Sequence, residues 1–286
     1  MQNIGQKVNP AKAVRIRYNF WESLVLYFTE SYESVWLRER IFALLKRAEG
    51  EPVRSSLFTT VLKFTNPVSC ETFYFKEFRA RGVKDMIRIF FGFTRGRRDV
   101  RGGQLISECG FLTPETIVYG VWKNFLMKKD FMITREVPGE RTYQYFSSRF
   151  SSDLSRELVV EKRALLKAAG HEIGRLHRCG ICHGDLRVGN IIIDGKGSAA
   201  RFFFVDNEKT RYYKILPKKK RFKNLVQLNM VLLPQLTKPD RLRFFNAYVE
   251  ENTHLLPKKN DLIKNVYRTT WRRHREKAGA GDNCRP

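Results

Sequence analysis

The chain has 286 residues, 42% of them apolar and 13% aromatic, which is enough to bury a core and excludes a disordered polymer. Its length passes roughly 250 residues, where single cores stop growing and chains divide, so two lobes are expected. Fifty-four Lys plus Arg against 29 Asp plus Glu leave a net charge of +25, which implies an anionic partner: nucleic acid, an anionic membrane surface or a polyanionic small substrate.

Residues 32–48 set Val35, Trp36, Ile41, Phe42, Leu44 and Leu45 on a broad apolar face, with Arg38, Glu39, Arg40 and Lys46 elsewhere. This is the pattern of an amphipathic helix, ended by Gly50 and Pro52, and residues 1–50 read as an N-terminal extension carrying it. Residues 57–64 and 72–78 read as a β-hairpin turned at Asn66-Pro67. Helical spacing runs over 97–110, although Gly102 and Gly103 in its interior would each cost about 1 kcal/mol relative to Ala. Residues 117–122 and 130–134 add two strands, so 51–135 reads as a small sheet with one helix. Ser151 and Ser152 are N-cap candidates for a long helix to about His177, with Leu154, Leu158, Leu165, Ala169, Ile173 and Leu176 at helical spacing and Gly180 as the stop. A second hairpin, 191–193 with 202–205, turns through Gly195-Lys196-Gly197. Three helices, roughly 219–236, 240–251 and 260–277, complete a region 136–277, and 278–286 reads as a flexible tail. The fold class is α+β: a small β-rich N-lobe and a mainly helical C-lobe.

The longest uncharged stretch, 224–237, has 14 residues and contains Asn, Gln and Pro, short of the roughly 20 apolar residues of a membrane span. The N-terminus has no apolar core of a signal peptide, and five cysteines make no disulfide framework. A cytoplasmic chain with reduced thiols is expected. Cys179-Gly180-Ile181-Cys182-His183 spells a haem-attachment pattern, and His171 and His177 lie near enough to suggest zinc, but buried thiols are the reading preferred here.

After the long helix comes His183-Gly184-Asp185-Leu186-Arg187-Val188-Gly189-Asn190, then a strand, a Gly turn and a strand ending in Asp206-Asn207-Glu208. Helix, loop with Asp and Asn five apart, hairpin and acidic residue follow one another in the order of a kinase catalytic core. Phosphoryl transfer needs one carboxylate to orient the acceptor hydroxyl, a part that suits Asp185. A second oxygen-rich pair must hold Mg²⁺ against the phosphates, which suits Asn190 and Asp206. The bland alternative is a turn in which Asp185 and Asn190 act as caps.

The string from His183 to Ile193, followed by Phe202 to Thr210, resembles the lipopolysaccharide kinase family, whose members phosphorylate Kdo or heptose of the inner core. The resemblance covers about 57–248 and includes Phe75-Lys76-Glu77-Phe78 and the Gly110 to Pro114 turn. It implies a protein-kinase-like fold, ATP and Mg²⁺ as cofactors and a lipopolysaccharide or related glycolipid acceptor. By motif position it gives Lys76 the ATP phosphates, with Lys63 as the rival, and Asp99 the role of acidic partner. Arg187 falls where kinases neutralise the transferring phosphate, and His183 belongs to the same catalytic motif. Glu208 is either a second metal or water contact or a strand-end cap. Two departures, no Gly-x-Gly-x-x-Gly and no Ala-Pro-Glu segment, argue against a protein substrate.

Residues 211–286 hold 19 Lys plus Arg against 6 Asp plus Glu, with clusters at Lys218-Lys219-Lys220-Arg221 and Arg272-Arg273-His274-Arg275. Under the kinase reading they attract the enzyme to the anionic inner face of the inner membrane as a peripheral protein, and no nucleic-acid partner is expected. Rival readings are an aminoglycoside- or choline-type phosphotransferase, disfavoured by the positive charge, and a catalytically silent basic scaffold for nucleic acid or membrane.

Overall fold

The computed structural model describes residues 12–17, 23–28, 35–123, 128–151, 154–230 and 233–282. The chain divides into two compact units, Met1–Arg101 with Pro114–Glu136, and Gly102–Thr113 with Val137–Pro286.

In the first unit, chain order runs β1 (Lys12–Arg17), β2 (Ser23–Phe28), α1 (Val35–Leu45), β3 (Glu51–Val53), β4 (Thr59–Thr65), β5 (Thr72–Phe78) and α2 (Val83–Phe90). Helix α3 (Arg95–Glu108) starts here and ends in the second unit, and β6 (Thr116–Lys123) and β7 (Lys128–Arg135) complete the first. The strands form one antiparallel sheet in the order β1-β2-β6-β7-β5-β4-β3. Period-2 alternation sorts its faces. Leu62, Phe73, Phe75 and Phe131 pack with Leu37, Ile41 and Leu44 of α1, each buried side chain contributing about 1.5–3 kcal/mol. Tyr74 and Lys76 alternate with Phe73 and Phe75 and so belong to the other face.

The predicted hairpin is β4-β5, and the predicted helix over 32–48 is α1, with 32–34 outside the described residues. Strands β1, β2 and β3 and helix α2 were not predicted. β3 is three residues with a Pro in the middle, too short to show a period, and α2 is eight residues between Gly82 and Gly92 whose Val83, Met86 and Ile87 are exposed. β1 and β2 lie in residues 1–50, and β2 pairs with β6.

Asp130 on β7 is 1% exposed and accepts a hydrogen bond from the Gly96 N–H in the first turn of α3 at 2.5 Å. Burial raises its carboxyl to about 6, against which the hydrogen bonds from Thr94, Gly96 and Arg97 work only in part. Between about pH 4 and 6 the folded chain therefore holds a proton that the unfolded chain releases, so this group's contribution to stability falls as pH rises through that window. Asp130→Asn keeps an acceptor for Gly96 and removes the charge. It should gain stability relative to the unsubstituted chain by up to about 3 kcal/mol between pH 4 and 7, read as the pH dependence of the Tm difference. Parallel Tm profiles would contradict this.

The second unit contains β8 (Glu140–Arg141), α4 (Thr142–Arg149), α5 (Arg156–Arg178), β9 (Ile181–Cys182), β10 (Ile191–Asp194), β11 (Arg201–Phe204) and β12 (Arg211–Tyr212). Helices α6 (Lys218–Asn229), α7 (Lys238–Glu250) and α8 (Lys259–Asp282) follow. The N-cap of the long helix is Ser155, whose hydroxyl accepts from the Leu158 N–H, and not Ser151; Ser152 lies outside the described residues. The earlier serines follow α4, whose Tyr and Phe content has no helical signature in sequence. Against α5 lies α7, started by a capping box in which Thr237 and Asp240 bond reciprocally. Asp240 also meets Lys162 of α5 at 3.0 Å, both buried. Phe146, Leu165, Leu225, Phe245 and Tyr248 are part of the core. A cavity of about 100 Å³ in this core is walled by Phe146, Leu165, Leu228, Leu233, Phe244 and Phe245, and none of Asp185, Asn190 and Asp206 lines it.

Candidate active site

In the first unit, Lys76 on β5 and Asp99 on α3 meet, Nζ to Oδ2, at 2.8 Å. Asp99 is 4% exposed, so its charge is held away from water beside a cation. Nζ of Lys76 also lies 5.2 Å from the centre of the Phe78 ring. The rival Lys63 shares the sheet face, being two residues from Val61, the cross-strand partner of Lys76. It is engaged elsewhere: Nζ donates to Glu136 Oε1 at 2.9 Å, and the Tyr74 hydroxyl donates to the same oxygen at 2.8 Å. The hydrogen bond it donates to Glu136 raises the Lys63 pKa above its ordinary value.

In the second unit, the loop between β9 and β10 carries the motif. The Asp185 side chain is 22% exposed. Its Oδ1 takes Nε of Arg187 at 2.9 Å and the Gln227 amide at 3.3 Å, and its Oδ2 takes Nζ of Lys209 at 3.2 Å. Asn190 donates through Nδ2 to the Asp185 carbonyl at 2.9 Å, which closes the loop and leaves Oδ1 as the amide's acceptor atom. Gly184 has φ 74°, and a Cβ there would lie 2.5 Å from the Lys209 carbonyl oxygen. Only glycine lets the loop run this close to the segment that supplies Lys209.

That segment follows β11. Asp206 is exposed and has φ 61°, a left-handed conformation unusual outside glycine, and Asn207, Glu208 and Lys209 form a single 3-10 turn. Asn207 is buried and donates to the Thr113 hydroxyl at 2.9 Å. A Cβ at Gly102 would sit nearly on the Asn207 carbonyl, so the glycine that weakens α3 is required by this contact. Glu208 is half-buried in the turn.

His183, which the motif groups with the catalytic residues, is 0% exposed. Nε2 donates to the Val205 carbonyl at 3.1 Å, and burial lowers the imidazole to about 4, so it is neutral at pH 7. The buried, neutral ring ties the motif loop to the residue that follows β11.

Two residues of this constellation had no prior signal. Lys209 stands three after Asp206 and is brought back to Asp185 by the 3-10 turn. Gln227 lies on α6 and ends a buried relay. The Tyr248 hydroxyl donates to His177 Nδ1 (2.9 Å), and His177 Nε2 to Asn224 Oδ1 (3.2 Å). Asn224 Nδ2 in turn donates to Gln227 Oε1 (3.1 Å), and Gln227 to Asp185. Burial lowers His177 to about 3, so it stays neutral and the direction of each bond is fixed.

Of the basic clusters, Lys218, Lys219 and Lys220 are exposed in the first turn of α6, whereas Arg221 is buried against His254 at 2.7 Å and leaves the surface set. Cys179 is exposed and Cys182 buried, its Sγ 3.5 Å from Asn224. Among the described residues no three His, Cys, Asp or Glu side chains converge as a metal cage. Among the described residues no helix is long and apolar enough to cross a membrane.

The model of the lipopolysaccharide kinase (Kdo/WaaP) family matches residues 43–248, well over half of the chain. The chain belongs to that family. It is therefore a phosphotransferase acting on a sugar hydroxyl. Among solved structures, one described as WaaP in complex with acyl carrier protein is similar at 19% identity and a TM-score of 0.63, over 86% of this chain and 98% of that one. The likeness supports a kinase-like fold, a β-sheet unit followed by a helical one. No curated protein matches the sequence.

Proposed function

We propose that the enzyme transfers the γ-phosphate of ATP to a sugar hydroxyl of the lipopolysaccharide inner core, Kdo or heptose, or of a related glycolipid. The observation that carries this reading is the Asp185 carboxylate, held by Arg187, Lys209 and Gln227 on a loop closed by Asn190. Such a carboxylate accepts a hydroxyl proton while cations offset charge on the transferring group.

Asp185 orients the acceptor hydroxyl and takes its proton. Arg187, 66% exposed beyond Asp185, is placed to neutralise phosphate charge. Lys76, aimed by Asp99, supplies the point charge for the nucleotide phosphates. Asp206 and Asn190 fit a magnesium ion by their hard oxygen donors, and one or two carboxylates with phosphates and water suffice for Mg²⁺. An ion held there would supply positive charge against the phosphates. Glu208 takes a supporting position in the same turn, and His183 positions the loop. Residues 54–58, between β3 and β4, stand where a kinase would cover phosphates and offer Ser55, Ser56 and backbone in place of glycines. Peripheral attachment to the cytoplasmic face of an anionic membrane, aided by Lys218–Lys220 and Arg272, accompanies this reading.

The relay makes Gln227 a positioning residue. Gln227→Leu should lower kcat by about tenfold to a hundredfold, the worth of a hydrogen bond to a charged group, with the KM for ATP nearly unchanged. A lowered ATP affinity with normal kcat would assign Gln227 elsewhere. Complementation tests the function as a whole: inner-core lipopolysaccharide from a strain lacking the gene should lose phosphate, and the wild-type gene should restore it. Unchanged phosphate content in the deletion strain would overturn the proposal.

A further inference from the structure

Helix α2 holds Val83, Met86 and Ile87 at 71%, 62% and 53% exposure, and just past its end Phe91 and Phe93 are 68% and 64% exposed. Positions 83, 86, 87 and 91 recur as i, i+3, i+4 and i+8, which is one stripe of a helix and its continuation. Single exposed apolar residues are ordinary, but five within eleven positions make a patch, and such patches mark a partner. Exposed Arg79, Arg81, Lys84, Arg88 and Arg97 accompany them, and Asp85 is the sole acidic residue between positions 79 and 98.

How the charges are placed selects the partner. A protein interface usually has an apolar centre inside a polar rim. Here the cations border the stripe along one flank, Lys84 after Val83 and Arg88 after Ile87, four apart on one face of the helix, with Arg88 also 3.7 Å from Asp85. This order suits a lipid interface, where apolar side chains enter the boundary between headgroups and acyl chains while Lys and Arg reach back to phosphates. We propose that α2 and residues 91–93 seat the first unit on an anionic bilayer. The choice of a bilayer also rests on the lipopolysaccharide-kinase reading, whose acceptor carries lipid. It adds an apolar contact made by the first unit to the electrostatic attraction of Lys218–Lys220.

Co-sedimentation of the full chain with vesicles of phosphatidylglycerol and phosphatidylethanolamine, without ATP or acceptor, tests this apart from any activity. The chain should sediment with these vesicles, not with pure phosphatidylcholine, and release as salt rises. Ile87→Glu, and separately Lys84→Glu, should each weaken binding by about tenfold or more, with circular dichroism and Tm unchanged because both side chains are exposed. Wild-type vesicle binding by Ile87→Glu would overturn the proposal. So would loss of binding only on reversal of Lys218, Lys219 and Lys220. If Ile87→Glu instead abolishes self-association on a sizing column, or capture by acyl carrier protein, and leaves vesicle binding intact, the patch is a protein interface and the bilayer is excluded.

Discussion

Asp185→Asn should lower turnover by about 10²- to 10⁴-fold, the range for loss of a general base, while ATP binding stays close to wild type. The substitution is nearly isosteric, and the remaining oxygen can still accept from Arg187, Lys209 or Gln227, so the loop should hold its shape. What is lost is the atom that takes the acceptor's proton. The readouts are single-turnover transfer to the acceptor and nucleotide binding by calorimetry. Unimpaired transfer would remove Asp185 from the chemistry. A parallel loss of ATP affinity would mean that it serves the nucleotide site.

Lys76→Met should lower kcat/KM for ATP by about 10²- to 10³-fold, comparable to removing one preorganised group that stabilises transition-state charge, whereas Lys63→Met should change it by less than about threefold. The distinction comes from their partners. Lys76 pairs with a carboxylate that is 5% exposed, whereas Lys63 and Glu136 are each 37% exposed. An exposed pair of that kind is worth about 0–1 kcal/mol. Lys76→Met also leaves Asp99 without that cation and should cost stability. Lys76→Met with Asp99→Asn should recover Tm without recovering ATP use. Equal losses of activity in the two single lysine variants, both folded, would undo the assignment.

These expectations trace how much the sequence revealed. Residues 183–190 and the hairpin behind them were legible because a kinase-like site packs Asp, Asn and the second Asp into one short stretch punctuated by glycine. Lys76 and Asp99 were legible by position along the chain, and the structure brings them to 2.8 Å. The burial of His183 was not legible, because a motif names a residue type and says nothing about whether its ring faces solvent. Lys209 needed the left-handed turn at Asp206, and Gln227 needed three-dimensional proximity of α6 to a loop some forty residues earlier. Arg221 looked like one more cation of a surface cluster, and only helix phase puts it inside against His254. Helix α2 escaped because its apolar residues face outward, where periodicity arguments look for a core. It is also the element on which the membrane proposal stands.

The proposed reaction is phosphoryl transfer to a sugar of the inner core. The most direct test incubates the purified chain with γ-³²P-labelled ATP, Mg²⁺ and inner-core lipopolysaccharide stripped of phosphate, then identifies the product by mass spectrometry. Label is expected on a Kdo or heptose hydroxyl, dependent on Mg²⁺ and lost in Asp185→Asn. Label on protein, on a soluble aminoglycoside or on no acceptor at all, with folded enzyme and intact ATP binding, would contradict it.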